Sequence, residues 1–282
     1  MMGMKVIIDP RSSYAYGSMY VYGLMQLGAT ISYSIAPFRH LHSIENNLRF
    51  VVEKNDRQTK YFIQANDSYH IISEDYEWCD VYGHVNANFT HYPKEQWPKV
   101  VSLVPSFGIS LHGKWGTVWL ALKNLLKCPK AVLCKQAWNK YANRMEVNVY
   151  KNVKHYFGSN YYKIWLNRLP LSAYENSTSS EDDYIFFLST LWYSNGENKN
   201  DETVNLRRAH FIRACKSIQA CRFEGGLLAD KSSSKEKFAD VLAEHGEPFT
   251  PWIEKTKRSA LVFNTPAFWD CHGWKIGEYL AL

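Results

Sequence analysis

The chain has 282 residues, enough for two domains of ordinary size that each bury a hydrophobic core. Hydrophobic residues make up 46% of it and no apolar run approaches the length of a membrane-spanning helix, so we expect a soluble globular protein. Its formal net charge of +6 suits a polyanion, an anionic lipid surface or a phosphorylated substrate, and equally suits a basic surface without a partner.

The beginning of the chain and its cysteines indicate the cytoplasm. The apolar stretch at 4–8 is short and is followed by Asp9 and Pro10, which is typical of a strand and not of a secretory signal. The six cysteines are scattered and form no Cys-x-x-Cys pair, as is usual where thiols stay reduced. We therefore predict a cytoplasmic protein, either free or peripheral to a membrane.

The first half predicts an opening strand–helix–strand unit. Strands are expected at 5–8 and 30–35, separated by a loop at 10–17 and a helix at 20–27. Later strands are expected at 61–64, 80–85 and 99–104, and helices at 118–126 and 135–141. The opening strand–helix–strand unit is that of a nucleotide-binding α/β fold, although no Gly-x-Gly-x-x-Gly follows the first strand.

The densest mixture of basic and aromatic residues lies at 150–168. It is consistent with an amphipathic helix that rests on a membrane carrying a lipid-linked acceptor. It is also consistent with a helix whose aromatic side packs in the core while its lysines are solvated.

The second half begins after a polar stretch at 176–183, the best candidate for a linker. A buried strand is expected at 184–188, a polar loop at 189–200, a helix at 202–216 and a strand at 217–223. After these, the patterns predict a turn at Gly225-Gly226, a helix at 234–244, a loop and short helix at 248–258, and a buried strand at 260–263.

The last segment, 266–282, carries most of the functional information. A loop with Gly273 near its exit leads into a helix from Trp274, and that helix is expected to turn Ile276, Leu280 and Leu282 inward. The N–H groups of 272–274 would then point at one place, where a helix N-terminus favours an anion such as a diphosphate. One turn later, the Glu278 carboxylate could accept hydrogen bonds from two neighbouring hydroxyls, as a ribose offers.

This segment resembles the donor-site motif of retaining glycosyltransferases of the GT-B fold, usually written around P-S-x-Y-E-G-F-G-x-P-x-x-E-A-x-A. Laid on the motif without a gap, six residues match: Pro266, Trp269, Asp270, Gly273, Glu278 and Ala281. Asp270 stands where the family has Glu, and Cys271-His272 stand where it has Gly-Phe.

The resemblance implies an α/β protein with two Rossmann-like domains and an incomplete second domain. Residues 1–178 would form the N-terminal, acceptor-side domain, and 179–282 part of the C-terminal donor domain. Because a donor domain normally continues past the motif helix, we expect the chain to be truncated, to self-associate through its C-terminal half and to have little activity.

The implied reaction is sugar transfer from a nucleotide-sugar to a glycan or a lipid-linked acceptor, with retention of configuration. Neither a cofactor nor a metal is expected, because the sequence has no Asp-x-Asp and cations can stabilise the departing phosphates. Asp270 and Glu278 are the expected catalytic residues. The donor phosphates would be bound by His272, Gly273, Trp274, Lys275 and Arg222. On the acceptor side we expect Arg11, His112 and Trp115.

Two other interpretations remain open. The 15% content of aromatic residues suits a non-catalytic carbohydrate-binding protein, although such modules are usually β-sandwiches and the helical periodicity here argues against one. The basic charge suits a polyanion-binding adaptor, for nucleic acid or for a membrane surface, and a salt-dependent affinity for polynucleotides would support this interpretation. A nucleic-acid partner is not our expectation.

Overall fold

The computed structural model describes residues 3–42, 47–139, 144–176, 178–192, 199–229, 236–266 and 271–282. The chain divides into two units, Met1–Leu171 and Ser172–Leu282, each with its own buried cluster of apolar side chains. Both units combine helices with strands, so the predicted mixed α/β class is confirmed.

The first unit contains a six-stranded mixed sheet in the order β2-β1-β3-β4-β5-β6. Its strands are β1 (Lys5–Ile8), β2 (Thr30–Tyr33), β3 (Leu48–Lys54), β4 (Arg57–Gln64), β5 (Val81–His84) and β6 (Val100–Ser102). The parallel pairing of β1 with β2 confirms the predicted opening unit, and β4, β5 and β6 also pair in parallel.

Strand β3 was not predicted, and it runs antiparallel to both β1 and β4. It forms a tight hairpin with β4 through Asn55 and Asp56, whose φ angles of 51° and 58° are left-handed. Such a two-residue turn suits the right-handed twist of the strands it joins. With β3 in its middle, the sheet differs from the all-parallel sheet of a doubly wound nucleotide fold.

The helices of the first unit are α1 (Tyr14–Gln26), α2 (Ser73–Trp78), α3 (Gly113–Lys127), α4 (Pro129–Leu133), α5 (Val149–Phe157) and α6 (Lys163–Asn167). Helix α1 begins six residues before its predicted start. Gly17, which the sequence assigned to a loop, lies inside the helix and packs against Leu48. The predicted helix at 135–141 is wrong. Among its described residues, Gln136–Asn139 form the strand β7, which pairs antiparallel with β8 (Arg144–Val147).

The basic and aromatic stretch at 150–168 contributes to a buried cluster with α1 and α3. Tyr156, Tyr161 and Ile164 are buried there against Tyr14 and Ala121. For these three side chains, the interpretation as an aromatic side packed in the core is therefore the correct one.

The second unit is built around the parallel strands β9 (Tyr184–Leu191) and β10 (Arg222–Ala229). Its helices are α7 (Leu171–Glu175, which begins at the boundary), α8 (Lys199–Ser217), α9 (Phe249–Arg258) and α10 (Lys275–Tyr279). The predicted strand at 184–188 and helix at 202–216 are confirmed. A 3-10 helix, Glu236–Val241, replaces the helix expected at 234–244, and the expected strand at 260–263 is absent from this described segment.

Gly225 and Gly226 lie in the middle of β10 and not in the predicted turn. Their φ angles are +111° and +150°, in the region that favours glycine. A Cβ on Gly225 would lie 2.1 Å from the carbonyl oxygen of Phe187, and one on Gly226 would lie 2.7 Å from that of Val241. The two glycines therefore permit β10 to approach its neighbours closely.

Among the described helices, none combines the length and the apolar character that a transmembrane span requires.

Candidate functional site

The strands β9 and β10 pair in parallel over their whole length, from Arg222 opposite Tyr184 to Ala229 opposite Leu191. Their carboxyl ends therefore lie at the same edge of the sheet. In open α/β sheets, ligands bind in the crevice outside that edge. The side chains that meet there come from α8, α9 and α10.

Arg208 of α8 is buried at this edge. Its guanidinium donates to the carbonyl oxygen of Thr190 at 2.7 Å and to the hydroxyl of Thr265 at 3.2 Å. It also stacks on Trp192, with the guanidinium carbon 4.3 Å from the ring centroid. Burial lowers the pKa of Arg208 to about 10, so the side chain is a fixed cation at neutral pH.

Asn205 holds the end of β9 against the same helix. Its side-chain oxygen accepts from the backbone N–H of Trp192 at 3.0 Å, and its amide donates to the carbonyl oxygen of Trp192 at 2.8 Å. Because both groups of the Asn205 amide are engaged, the backbone of Trp192 is held against α8, close to the Arg208 that its ring contacts.

Lys275 is the second cation of this edge. Its ammonium donates to the carbonyl oxygen of Leu188, in β9, and lies 5.3 Å from the ring centroid of Trp252 and 5.8 Å from that of Phe187. Burial, together with the charge of Arg208 and against the opposing charge of Glu278, lowers the pKa of Lys275 to about 8. Two cations are thus held close enough to influence each other in a partly dehydrated place.

Glu278 follows Lys275 by three residues in α10 and is buried. The next residue, Tyr279, stacks on Trp252 of α9 with ring centroids 6.1 Å apart. Burial raises the pKa of Tyr279, and the Glu278 charge adds to the effect. A carboxylate, two cations and aromatic side chains therefore meet along the carboxyl half of β9. We refer to Arg208, Lys275, Glu278, Trp192 and Trp252 as the edge cluster.

The loop before α10 contains three further predicted donor-site residues. His272 is exposed and Trp274 is partly buried. A Cβ on Gly273 would lie 2.4 Å from the carbonyl oxygen of Thr265, so glycine is required where this loop packs on that segment. The predicted catalytic residue Asp270 lies outside the described residues.

Helix α10 differs from its prediction in two respects. It has only five residues, so few peptide dipoles align behind its N-terminus, and the positive charge of the site comes from Arg208 and Lys275. The predicted inward orientation of Leu280 is wrong, because this side chain is 74% exposed and Glu278 is buried in its place.

Arg222 lies at the other end of the strands. It begins β10 opposite Tyr184, over whose ring its guanidinium lies, and it forms ion pairs with Glu181 and Asp183. Along β9, Tyr184 and Leu188 are separated by roughly 13 Å of extended chain. The structure therefore does not bring Arg222 to Lys275, and Arg208 occupies the place of the second cation.

The sequence contains a signal that could have identified Arg208. Val204, Arg208 and Ile212 are spaced at four residues and are all buried on one face of α8. An arginine inside such an apolar stripe must find acceptors within the protein. Arg208 was not predicted, because neither it nor its basic neighbours Lys199 and Arg207 cleanly match the Arg and Lys that GT-B glycosyltransferases place after the first strand of the donor domain.

The predicted acceptor-side residues lie in the first unit, where Arg11 has a structural role. Its guanidinium is buried and forms a double hydrogen bond with Asp9, at 2.9 and 2.7 Å. It also donates to the carbonyl oxygens of Leu41 and Phe38, each at 2.8 Å. With these partners satisfied, Arg11 stabilises the loop after β1.

Next to Asp9, a second buried arginine completes a closed network. Arg49 of β3 donates to both carboxylate oxygens of Asp75 and lies 3.6 Å from the Asp9 carboxylate. Burial raises the pKa of Asp75, although Arg49 opposes this. Buried ion pairs of this kind fix a conformation more than they stabilise it.

His112 and Trp115, the other two acceptor-side predictions, lie at the start of α3. His112 stacks on Tyr14, with ring centroids 6.2 Å apart, and partial burial lowers its pKa. Trp115 is 85% exposed.

A small cavity lies at the N-terminus of α1. The buried hydroxyl of Ser13 lines it and has no hydrogen-bond partner, but the cavity measures about 10 Å³, which suits one water molecule and not a phosphate.

Comparison with known proteins returns no matching family model, and no curated protein or solved structure is significantly similar to this chain. Within the described ranges, no group of three histidine, cysteine or acidic side chains is arranged to hold a metal ion.

Proposed function

We propose that the edge cluster binds the diphosphate and ribose of a nucleotide-sugar, and that the protein transfers the sugar to a glycan or lipid-linked acceptor. The observation that carries the proposal is the meeting of Arg208, Lys275 and Glu278 along the carboxyl half of β9, one of two parallel strands. The resemblance of 266–282 to the donor motif of GT-B glycosyltransferases supports it, and the arrangement of two Rossmann-like domains belongs to the same proposal.

The charges of the cluster suit the reaction. When the bond between the sugar and the terminal phosphate breaks, the electron pair leaves with the diphosphate, and a new bond forms to an acceptor oxygen that loses its proton. Fixed cations in a partly dehydrated site stabilise the charge on the departing phosphates more than cations in water would. Arg208 and Lys275 supply these cations.

Glu278 would accept hydrogen bonds from the two ribose hydroxyls, as expected for an acid at this place in the motif. Asp270, by the same resemblance, would face the hydroxyls of the sugar. Trp192 and Trp252, whose rings contact Arg208 and Lys275, would pack on the nucleoside.

Calorimetry with a panel of nucleoside diphosphates and their sugars tests the proposal. Glu278→Gln should weaken nucleotide binding by about 1.5–3 kcal/mol, because it removes charged hydrogen bonds to the ribose. Lys275→Met should weaken binding of the diphosphate by a similar amount but leave binding of the uncharged nucleoside nearly unchanged.

Arg222→Gln is the matched control, since Arg222 carries the same charge at the other end of β10. Its nucleotide affinity should equal that of the wild type. Unchanged affinity in folded Glu278→Gln and Lys275→Met variants would refute the assignment. Tight binding without any transfer to an acceptor would support the non-catalytic alternative.

A further inference from the structure

Helix α3 presents an apolar stripe to solvent. Trp115, Trp119, Leu122 and Leu126 are 85%, 66%, 41% and 80% exposed. Their spacing of four, three and four residues places all of them on one face of the helix. We call these four residues the outer face of α3.

The outer face lies opposite the side of α3 that packs in the core. The buried residues of the helix are Thr117, Ala121 and Asn124, which point about half a turn away from the outer face. A surface helix normally carries its polar residues on the side away from the core. Helix α3 has the reverse pattern, with small and polar residues inside and its largest apolar residues outside.

The segment of sequence that contains this face is strongly basic. Residues 96–145 contain no Asp or Glu, and they contain eight basic residues: Lys99, Lys114, Lys123, Lys127, Lys130, Lys135, Lys140 and Arg144. Lys114 and Lys123 are exposed on the two flanks of the outer face, and Lys130 is exposed just beyond its end. By contrast, Lys127 turns inward and donates to the carbonyl oxygen of Tyr33.

The exposed apolar surface continues on the next element. Lys114 lies over the ring of Trp165 in α6, with 5.8 Å between its ammonium and the centroid, so the start of α3 adjoins this helix. Beside Trp165, Tyr162 and Leu166 are 54% and 45% exposed. The apolar surface is therefore broader than one helix face.

We propose that the outer face of α3 rests on an anionic lipid membrane. Tryptophan has an apolar body and a polar N–H and is enriched at the boundary between lipid and water. An apolar stripe flanked by lysines suits a helix that lies in this boundary, with its apolar residues among the acyl chains and its lysines near anionic headgroups.

A second copy of this chain is a poorer occupant. Two outer faces brought together would bring two acid-free basic segments together, and their like charges would repel. A surface of fixed negative charge, in contrast, is complementary to this segment. The inference does not depend on the proposed sugar transfer, because none of these residues belongs to the edge cluster.

Flotation of the full chain with lipid vesicles tests the proposal. The wild type should bind vesicles made from equal amounts of phosphatidylcholine and phosphatidylglycerol, and should bind pure phosphatidylcholine at least tenfold more weakly. The double variant Trp115→Ser, Trp119→Ser should lower the partition coefficient on the mixed vesicles tenfold or more. Lys123→Gln with Lys130→Gln should lower it about fivefold for each lysine and reduce its dependence on salt.

Ile218→Ser is the matched control, because Ile218 is also exposed, at 53%, but lies outside the basic segment. It should bind mixed vesicles as the wild type does. Absence of wild-type binding to mixed vesicles, or equal binding by the folded double tryptophan variant, would overturn the proposal. A concentration-dependent dimer in sedimentation velocity that the double tryptophan variant abolishes would also overturn it, by assigning the face to a second copy.

Discussion

Lys275 is a charged group held among aromatic rings and backbone carbonyls. Its ammonium contacts Leu188, Phe187 and Trp252, and the burial of this charge lowers its pKa to about 8. A lysine in such a place is costly to fold unless an anion joins it. A bound anion would favour the charged form of Lys275, as the proposed diphosphate site requires.

The lowered pKa of Lys275 predicts a pH dependence of stability. Between about pH 8 and 10 the unfolded chain binds a proton at this residue that the folded chain has lost, so stability rises with pH in this window. The free energy of unfolding of the wild type should gain up to about 3 kcal/mol relative to Lys275→Met, measured by urea denaturation at several pH values.

The comparison with Lys275→Met removes the effect of other groups that titrate in the same range. Parallel pH profiles for the wild type and the variant would contradict the burial of a charged Lys275. A saturating nucleoside diphosphate should flatten the difference, because a bound anion favours the protonated lysine.

At the scale of elements, the glycines of β10 are required by the backbone segments that pack against this strand. Its two central glycines look like a turn in the sequence, yet they pair with Phe187 and Leu188 of β9 in a continuous parallel ladder. They are glycines because other backbone groups lie where side chains would be. The edge cluster depends on this ladder, since β9 provides the carbonyl oxygens that Arg208 and Lys275 contact.

Gly225→Ala should destabilise the protein by roughly 3 kcal/mol or more, because the new Cβ would clash with the backbone of Phe187 at a left-handed φ. Gly246→Ala is the control. There a Cβ would meet only the side chain of Leu228, at an ordinary 3.5 Å, and the change should stay within about 0.5 kcal/mol. Equal denaturation midpoints for Gly225→Ala and the wild type would show that β10 is not built as described.

At the scale of the whole molecule, the two proposed sites lie in different units. The second unit contains the edge cluster, with the buried Arg208, the partly buried Lys275 and the buried Glu278. The first unit contains the outer face of α3 and the acid-free segment that surrounds it. The excess of positive charge in the sequence is thus concentrated in one segment and is not a uniform basic surface.

Sugar transfer by the full chain should not require a divalent metal, since Arg208 and Lys275 can stabilise the departing diphosphate. Activity with a nucleotide-sugar should therefore survive EDTA within about twofold. If activity disappeared with the chelator and returned with manganese or magnesium, the proposed role of the two cations would have to be abandoned.

Some site residues could be predicted from the sequence and others could not. Lys275 and Glu278 were predicted from the loop, glycine and helical acid of the donor motif, which lie close together along the chain, although the strand expected before them at 260–263 is absent from that described stretch. Arg208 is separated from Lys275 by more than sixty residues, so only the fold shows that both reach β9. Arg222 was predicted as a phosphate ligand for its charge, but its position at the amino end of β10 pairs it with Glu181 and Asp183.

The sequence by itself determined the α/β class, the β1-α1-β2 unit, the strand β9 and the helix α8, because each depends on periodicity and on signals within a few residues. Tertiary structure decided the rest. It inserted β3 antiparallel between β1 and β4, placed Gly225 and Gly226 inside a strand, and turned the tryptophans of α3 outward. These features depend on which distant segments pack against a strand or a helix face. The local hydrophobic pattern does not specify what an apolar face packs against, whether protein or a membrane surface.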